Sequence, residues 1–152
     1  MSQDYELHEG EEVVGTLTFR SGFGTLATAD TGDGAWTFKR VGFWQNRVTI
    51  RASSSDSDLA VFERDTWASG GSLLMADGRR FNATTSLWRS KLEFRTASDE
   101  PLVRFEPDGV FRQSAAVEIL PAGLRLAELP LLVTFGWYLV VMLNRDAAVV
   151  VM

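Results

Sequence analysis

The sequence predicts a mainly β protein: a closed antiparallel barrel of about ten to twelve strands around one buried hydrophobic C-terminal helix. Two features predict the strands. Apolar and polar residues alternate between residues 13 and 120, and turn residues interrupt this alternation at short intervals. A third feature predicts the helix: at residues 129–143 the alternation is replaced by an uncharged apolar run. Enclosing that run would give the strands a core to close around.

Length and composition suit a single domain over residues 1–152. A chain of 152 residues that is 45% hydrophobic can bury about 70% of the surface that it exposes when unfolded. We expect the strands over about residues 5–120 and the helix over about residues 126–145. The polar, acidic start lacks the apolar stretch of a secretory signal, so a cytoplasmic location is expected.

The charge and the cysteine content exclude several classes of function. A formal net charge of −5 argues against nucleic acid as the partner, because binding phosphates requires a basic surface. The charge is uneven: residues 1–12 hold five acids and no base, whereas residues 39–51 hold four bases and no acid. The absence of cysteine removes disulfides and sulfur-based zinc sites, and it fits a reducing compartment.

Two runs show the strand alternation most clearly. In residues 13–20, positions 13, 15, 17 and 19 place Val, Gly, Leu and Phe on one face. In residues 88–95, Trp88, Leu92 and Phe94 share a face opposite four charged side chains. Residues 111–119 alternate in the same way, and weaker alternation predicts further strands at 25–29, 36–41, 46–52, 58–64, 72–76, 79–85 and 101–106.

Three Asp-Gly pairs lie between predicted strands, at 33–34, 77–78 and 108–109. Asp-Gly readily adopts the positive φ angles that tight hairpins require. Consecutive strands are therefore expected to pair antiparallel.

The apolar run at 129–143 has two interpretations. Pro130 suits the first turn of a helix, where its missing N–H has no partner in any case. The fifteen residues would span about 22 Å as a helix, which is short of the roughly 30 Å hydrocarbon core of a bilayer. The length favours a helix enclosed by the barrel, with Trp137 buried, and leaves a membrane anchor as the alternative.

Residues that could carry catalysis or hold a metal are few. His8 is the only histidine and lies among acids, so a histidine-dependent catalytic site would have to use it. Asp30, Asp33, Asp56 and Asp58 could offer oxygen ligands to calcium, but their spacing does not match a calcium loop and favours turn formation. We therefore expect no catalytic residues, no metal site and no cofactor.

The basic residues suggest an anion-binding face. Arg47 and Arg51 alternate along one predicted strand, and Arg89, Lys91 and Arg95 alternate along another. If these strands were neighbours, their cations would form a patch able to hold an anionic lipid head group. The full candidate set is Lys39, Arg40, Arg47, Arg51, Arg89, Lys91 and Arg95. The alternative is that these are ordinary solvated strand faces.

The expected architecture resembles the superfamily of tubby C-terminal domains, LURP-one-related proteins and phospholipid scramblases. The runs at 34–40, 77–79 and 131–146, the last containing Gly136-Trp137-Tyr138, are similar to its small bacterial members. The likeness covers about residues 5–146 and implies the fold and an association with membrane lipids. Tubby domains bind phosphoinositide head groups through surface lysines and arginines, but that pattern has no position-by-position match here. The cysteine-rich stretch and proline-rich arm of scramblases are missing.

These observations predict a non-enzymatic binding or scaffold domain that engages anionic phospholipid at the membrane periphery through its basic strand face. A first alternative is a protein tethered to the membrane by its apolar helix. A second is a small-molecule carrier or enzyme with a pocket at the mouth of the barrel. A helix that fills the barrel would leave this pocket little interior volume.

Overall fold

A computed structural model describes residues 3–20, 25–41, 47–64, 70–86, 91–107 and 115–151 of the chain. The described residues form eleven strands in one sheet, followed by a short helix and a long one. The strands are β1 (Gln3–Glu9), β2 (Glu12–Phe19), β3 (Ala27–Thr31), β4 (Gly34–Val41), β5 (Arg47–Ala52), β6 (Asp58–Arg64), β7 (Gly70–Met75), β8 (Arg80–Ser86), β9 (Lys91–Thr96), β10 (Pro101–Pro107) and β11 (Ala115–Ile119). The helices are α1 (Pro121–Leu124) and α2 (Leu129–Val151).

The sheet is an antiparallel meander in which every strand pairs with the next one along the chain. It is not closed, so the predicted closed barrel is wrong. Strand direction alternates along a meander, and the first and the eleventh strands therefore run the same way. Pairing β1 with β11 would place one parallel ladder in an otherwise antiparallel sheet. Among the described residues, β1 and β11 each have one paired neighbour and form the two edges.

The open sheet nevertheless curves around α2, which confirms the predicted buried helix. The ring of Phe135 lies 5.4 Å from Phe38 on β4 and 5.4 Å from Phe62 on β6. It also lies 6.1 Å from Phe94 on β9. The ring of Tyr138 stacks on Phe19 of β2 at 5.6 Å. The helix residues buried in this way are Leu131, Leu132, Val133, Thr134, Phe135, Tyr138, Val140, Val141 and Met142.

At Gly136 the backbone of the helix lies directly against aromatic rings of β9 and β10. A Cβ atom added there would overlap the ring of Phe105 and lie 3.0 Å from the ring of Phe94. A side chain at this position would therefore force the ring of Phe105 to shift. The contact brings β9 and β10 directly onto the helix backbone.

Several predicted elements differ from the observed ones. β1 was not among the individual strand predictions, although Tyr5 and Leu7 alternate with acids along it. Trp137 is half-buried, whereas Tyr138 beside it is fully buried, so the burial expected of Trp137 is only partial. The helix starts later than expected, at Leu129, and Pro130 lies in its first turn as predicted. Within the described residues, no helix has both the length and the hydropathy needed to cross a bilayer.

The predicted hairpins are observed where the structure describes them. Gly78 has a φ of +94° in the turn between β7 and β8, and its N–H donates to the carbonyl of Met75. The turn between β3 and β4 uses Gly32 and Asp33, while Gly34 already belongs to β4. The Asp-Gly pair at 108–109 and the first residues of the predicted strands at 88–95 and 111–119 lie outside the described residues.

Candidate functional site

A cleft of about 610 Å³ lies at the open side of the sheet, between the two edge strands. We call it the edge cleft. It is bordered by β1, by the starts of β2 and α2, by the turn between β3 and β4, and by β11. Its lining residues are Leu7, His8, Glu9, Glu12, Val13, Val14, Thr31, Gly32, Asp33, Val117, Ile119, Leu129, Pro130 and Val133.

The start of α2 forms the apolar floor of the edge cleft. Leu129 and Val133 are four residues apart, so they lie on the same face of the helix, and Pro130 lies beside them. Val133 is buried, whereas Leu129 and Pro130 are partly exposed. The face turned toward the open side of the sheet is therefore less covered than the faces packed against β4 and β9.

One wall of the cleft consists of inner-face residues of β11, which has no second neighbouring strand among the described residues. Val117 and Ile119 pair with Phe105 and Val103, and paired residues of an antiparallel ladder share a face. Phe105 and Val103 are fully buried, yet Ile119 is 38% exposed. Because β11 is an edge, its inner-face side chains open onto the cleft. On the opposite wall, Val13 is 47% exposed.

The rim of the edge cleft is acidic. Glu9, Glu12 and Asp33 line it, and all three are exposed. Nε2 of His8 lies 2.9 Å from Oε2 of Glu6, so the single histidine contacts a carboxylate on its own strand. Among the described residues, no group of three or more histidine, aspartate or glutamate side chains is placed to hold a metal ion. The site therefore combines an apolar interior with a negative border.

A small hollow continues the floor beneath β1. Trp137 lies one further turn along the same helix face as Leu129 and Val133, and its ring meets that of Tyr5 at 6.3 Å. Its Nε1 is buried and has no hydrogen-bond partner among the described residues. The hollow shares Leu7 and Val133 with the edge cleft. The indole thus lies under β1 next to the cleft.

A charged cluster holds the start of α2 in place. The guanidinium of Arg79, after the turn between β7 and β8, donates to Oε1 of Glu128 immediately before the helix. It also donates to Oδ2 of Asp77 at 2.9 Å. These hydrogen bonds lower the pKa of both carboxyl groups below their ordinary values. The cluster ties the floor of the cleft to the middle of the sheet.

The predicted basic strands are not neighbours. β5, which carries Arg47 and Arg51, is separated from β9 by β6, β7 and β8. Four interstrand steps of about 4.8 Å place the two strands roughly 19 Å apart along the sheet. The structure therefore keeps the cations of β5 and β9 apart, whereas Lys39 and Arg40 lie on β4, which pairs with β5.

Most of the predicted lipid-binding cations contact carboxylates. Arg47 lies 3.1 Å from Glu63, Arg51 2.7 Å from Asp58, and Lys91 3.0 Å from Glu106. Arg95 lies between Glu93 at 2.6 Å and Asp99 at 3.2 Å, which raises the pKa of its guanidinium. Lys39 is exposed on β4, Arg40 is half-buried, and Arg89 is outside the described residues. A head group binding at the four paired cations would have to displace these carboxylates.

A second depression, of about 310 Å³, lies on the outer face of β8, β9 and β10. Its charged residues are already engaged: Lys91 contacts Glu106, and Arg104 donates to Glu93 at 2.8 Å. Arg104 also reaches Glu118 on β11 at 2.8 Å. This network links three strands and leaves the edge cleft as the better candidate site.

Sequence reasoning missed the edge cleft. Its two walls come from opposite ends of the sheet, and their approach depends on the curvature of the sheet and on the number of strands. The five acids in residues 1–12 were a usable signal, because two of them, Glu9 and Glu12, line the cleft together with Leu7 and His8. No family model, no curated protein and no solved structure matches the chain. The likeness to the tubby, LURP-one-related and scramblase superfamily accordingly stays a prediction.

Proposed function

We propose that this chain is a binding domain that takes its ligand in the edge cleft, by contact with the apolar floor on α2 and the inner face of β11. The observation that carries the proposal is the exposure of Ile119. This side chain points to the inner face of the sheet, and at 38% exposure it is open to the cleft and not packed in the core.

Burial of apolar surface would drive such binding. Leu7, Val13, Val117 and Ile119 form the two walls, and Leu129 lies on the floor between them. Covering apolar surface is worth about 25 cal/mol per Å². A concave apolar site bordered by a few polar groups is the usual form of a ligand site. The cleft lies beside α2 and not inside the sheet. The buried helix therefore leaves room for a bound ligand.

The prediction that the basic strand faces bind anionic phospholipid remains untested. The ion pairs of Arg47, Arg51, Lys91 and Arg95 weigh against it, because each cation already has an acidic neighbour. The rim of the edge cleft is negatively charged and would repel an anionic head group. We therefore base the proposed function on the cleft and not on the cations.

Titration with the neutral apolar dye N-phenyl-1-naphthylamine tests the proposal. The dye fluoresces more strongly when it leaves water for an apolar site, so the wild-type chain should enhance its fluorescence. Ile119→Glu places a carboxylate in the wall of the cleft and should remove most of the enhancement. Covering this unpaired charge with an apolar dye would cost desolvation free energy.

Leu74→Glu is the matched control. Leu74 is 46% exposed, but it lies on β7 outside the cleft, so the same substitution should leave the dye signal unchanged. Circular dichroism checks that both variants keep their sheet content. No enhancement by the wild-type chain, or equal losses in the two variants, would contradict the proposal.

A further inference from the structure

Both walls of the edge cleft are strand edges. β1 pairs with β2 and β11 pairs with β10, and no second partner is present for either among the described strands. Along an antiparallel strand the N–H and C=O groups of alternate residues point to opposite sides. The outer side of each edge therefore presents backbone donors and acceptors toward the cleft.

The direction of the two edge strands determines which kind of added strand can form hydrogen bonds with both of them. β1 and β11 run the same way, because an odd number of strands lies in the meander. A strand inserted between them in the opposite direction would be antiparallel to both. It would also make the number of strands even, which allows an antiparallel sheet to close without a parallel pair.

We infer that the edge cleft binds an extended polypeptide segment of a basic partner protein, which pairs with β1 and β11 as an added strand. This inference rests on the proposed binding function of the cleft. The edges set the length of the segment, since β11 has 5 residues and β1 has 7. Addition of a strand to an exposed edge is a known mode of peptide recognition.

The side chains of such a segment would alternate in character. Those pointing inward would contact Leu129, Pro130 and Val133 on the floor, so they should be apolar. Those pointing outward would lie near Glu6 of β1 and Glu118 of β11, both of which are exposed. Glu6 already contacts His8 and Glu118 already accepts from Arg104, so a basic side chain of the segment would share these carboxylates. Carboxylates on both sides favour lysine or arginine at the outward positions.

The same charges argue against a second copy of this chain as the partner. β1, the turn after it and the first residue of β2 carry Asp4, Glu6, Glu9, Glu11 and Glu12. Pairing β1 with another β1 would place like charges across the ladder, which destabilises a sheet. The β-bulge between Leu7 and His8 also breaks the regularity of this edge. A basic partner removes the charge conflict.

The first test uses a capped peptide of 7 residues, the length of β1, in which valine alternates with lysine. Isothermal titration calorimetry should detect binding to the wild-type chain. A peptide with glutamate in place of lysine should not bind. A third peptide, N-methylated at every second residue, loses the backbone donors for one edge and should also fail to bind.

The second test varies the protein. Glu9→Lys with Glu12→Lys reverses two rim charges and should weaken binding of the valine-lysine peptide by about tenfold or more. Asp56→Lys with Glu100→Lys changes the net charge equally at exposed sites outside the cleft. This control should bind like the wild-type chain.

The outcomes separate this inference from the proposed function. If the dye binds in the cleft and the valine-lysine peptide does not, added-strand recognition is wrong while the proposed function stands. If neither binds, both are wrong. Equal binding of the N-methylated and parent peptides would also overturn strand pairing. Self-association of the wild-type chain that Glu9→Lys with Glu12→Lys abolishes, measured by analytical ultracentrifugation, would identify a second copy as the occupant and overturn the basic partner.

Discussion

The hydroxyl of Tyr138 on α2 donates a hydrogen bond to the backbone carbonyl of Thr25, just before β3, across 2.6 Å. The two residues are 113 positions apart in the chain. The same phenol ring stacks on Phe19 with an angle of 8° between the ring planes. One side chain therefore joins the middle of the helix to the N-terminal half of the sheet through both a hydrogen bond and a ring contact.

Tyr138→Phe removes the hydrogen bond and keeps the ring. The carbonyl of Thr25 would lose this donor in a partly buried position, and we expect the free energy of unfolding to fall by about 1–2 kcal/mol. Urea denaturation followed by fluorescence measures the change. Unchanged stability would show that water replaces the hydroxyl at no cost.

Phe135→Ala should be the most damaging truncation in the helix. Phe135 is fully buried and meets aromatic rings of β4, β6 and β9, so its removal should cost about 3–5 kcal/mol. Trp137→Ala should cost less, because the indole is only half-buried and its buried N–H has no partner among the described residues. Denaturation of the two variants side by side gives the order, and a larger loss for Trp137→Ala would be inconsistent with this packing.

Gly136→Ala tests the close approach of the helix to the sheet. Alanine favours helix formation by about 1 kcal/mol over glycine, so an uncrowded position would gain stability. The added methyl group would instead overlap the ring of Phe105, and overpacking of this kind typically costs about 1–3 kcal/mol. We expect a lower midpoint of thermal unfolding, and a higher midpoint would mean that the rings move aside freely.

The cluster of Arg79 and Glu128 makes stability depend on pH. The hydrogen bond from Arg79 lowers the pKa of Glu128 below its usual 4.5, so the folded state holds the proton less tightly than the unfolded state. The contribution is present above pH 4.5 and is lost as the pH falls through the lowered pKa. Glu128→Gln should therefore be less stable than the wild-type chain at about pH 6, and the difference should shrink toward about pH 3.

Urea denaturation across this pH range measures the effect. Glu100→Gln is the control, since Glu100 is exposed in the turn between β9 and β10 and is not part of the cluster of Arg79, Asp77 and Glu128. Its stability should follow that of the wild-type chain at every pH. A constant difference between Glu128→Gln and the wild-type chain would show that the ion pair does not govern this dependence.

Much of the sheet could be predicted from local pattern. The strand predicted at 58–64 coincides with β6, and the hairpin predicted at 77–78 is the turn between β7 and β8. β1 was missed as a separate strand because its acids obscure the alternation of Tyr5 and Leu7. Including β1 raises the number of strands from ten to eleven. With an odd number of strands, the two edge strands run in the same direction and not in opposite directions.

The basic residues show the limit of such reasoning for a binding site. Alternation correctly placed Arg47 and Arg51 on the outer side of a strand, opposite Val48 and Ile50. It could not show that Glu63 and Asp58 of the next strand lie against them, because cross-strand neighbours depend on register. Whether two basic strands converge depends in turn on the order of the strands in the sheet.

The class of structure follows from local pattern: alternation over residues 13–120 and an uncharged run at 129–143 require strands with one buried face and a helix enclosed on most sides. That the sheet stays open, and that its edges flank a cleft over α2, emerges at the level of the whole fold. The two levels differ in the distance along the chain over which each property is set. Burial patterns and turns are local properties of the chain, whereas the meeting of β1 and β11 depends on the summed curvature and the number of all the strands between them.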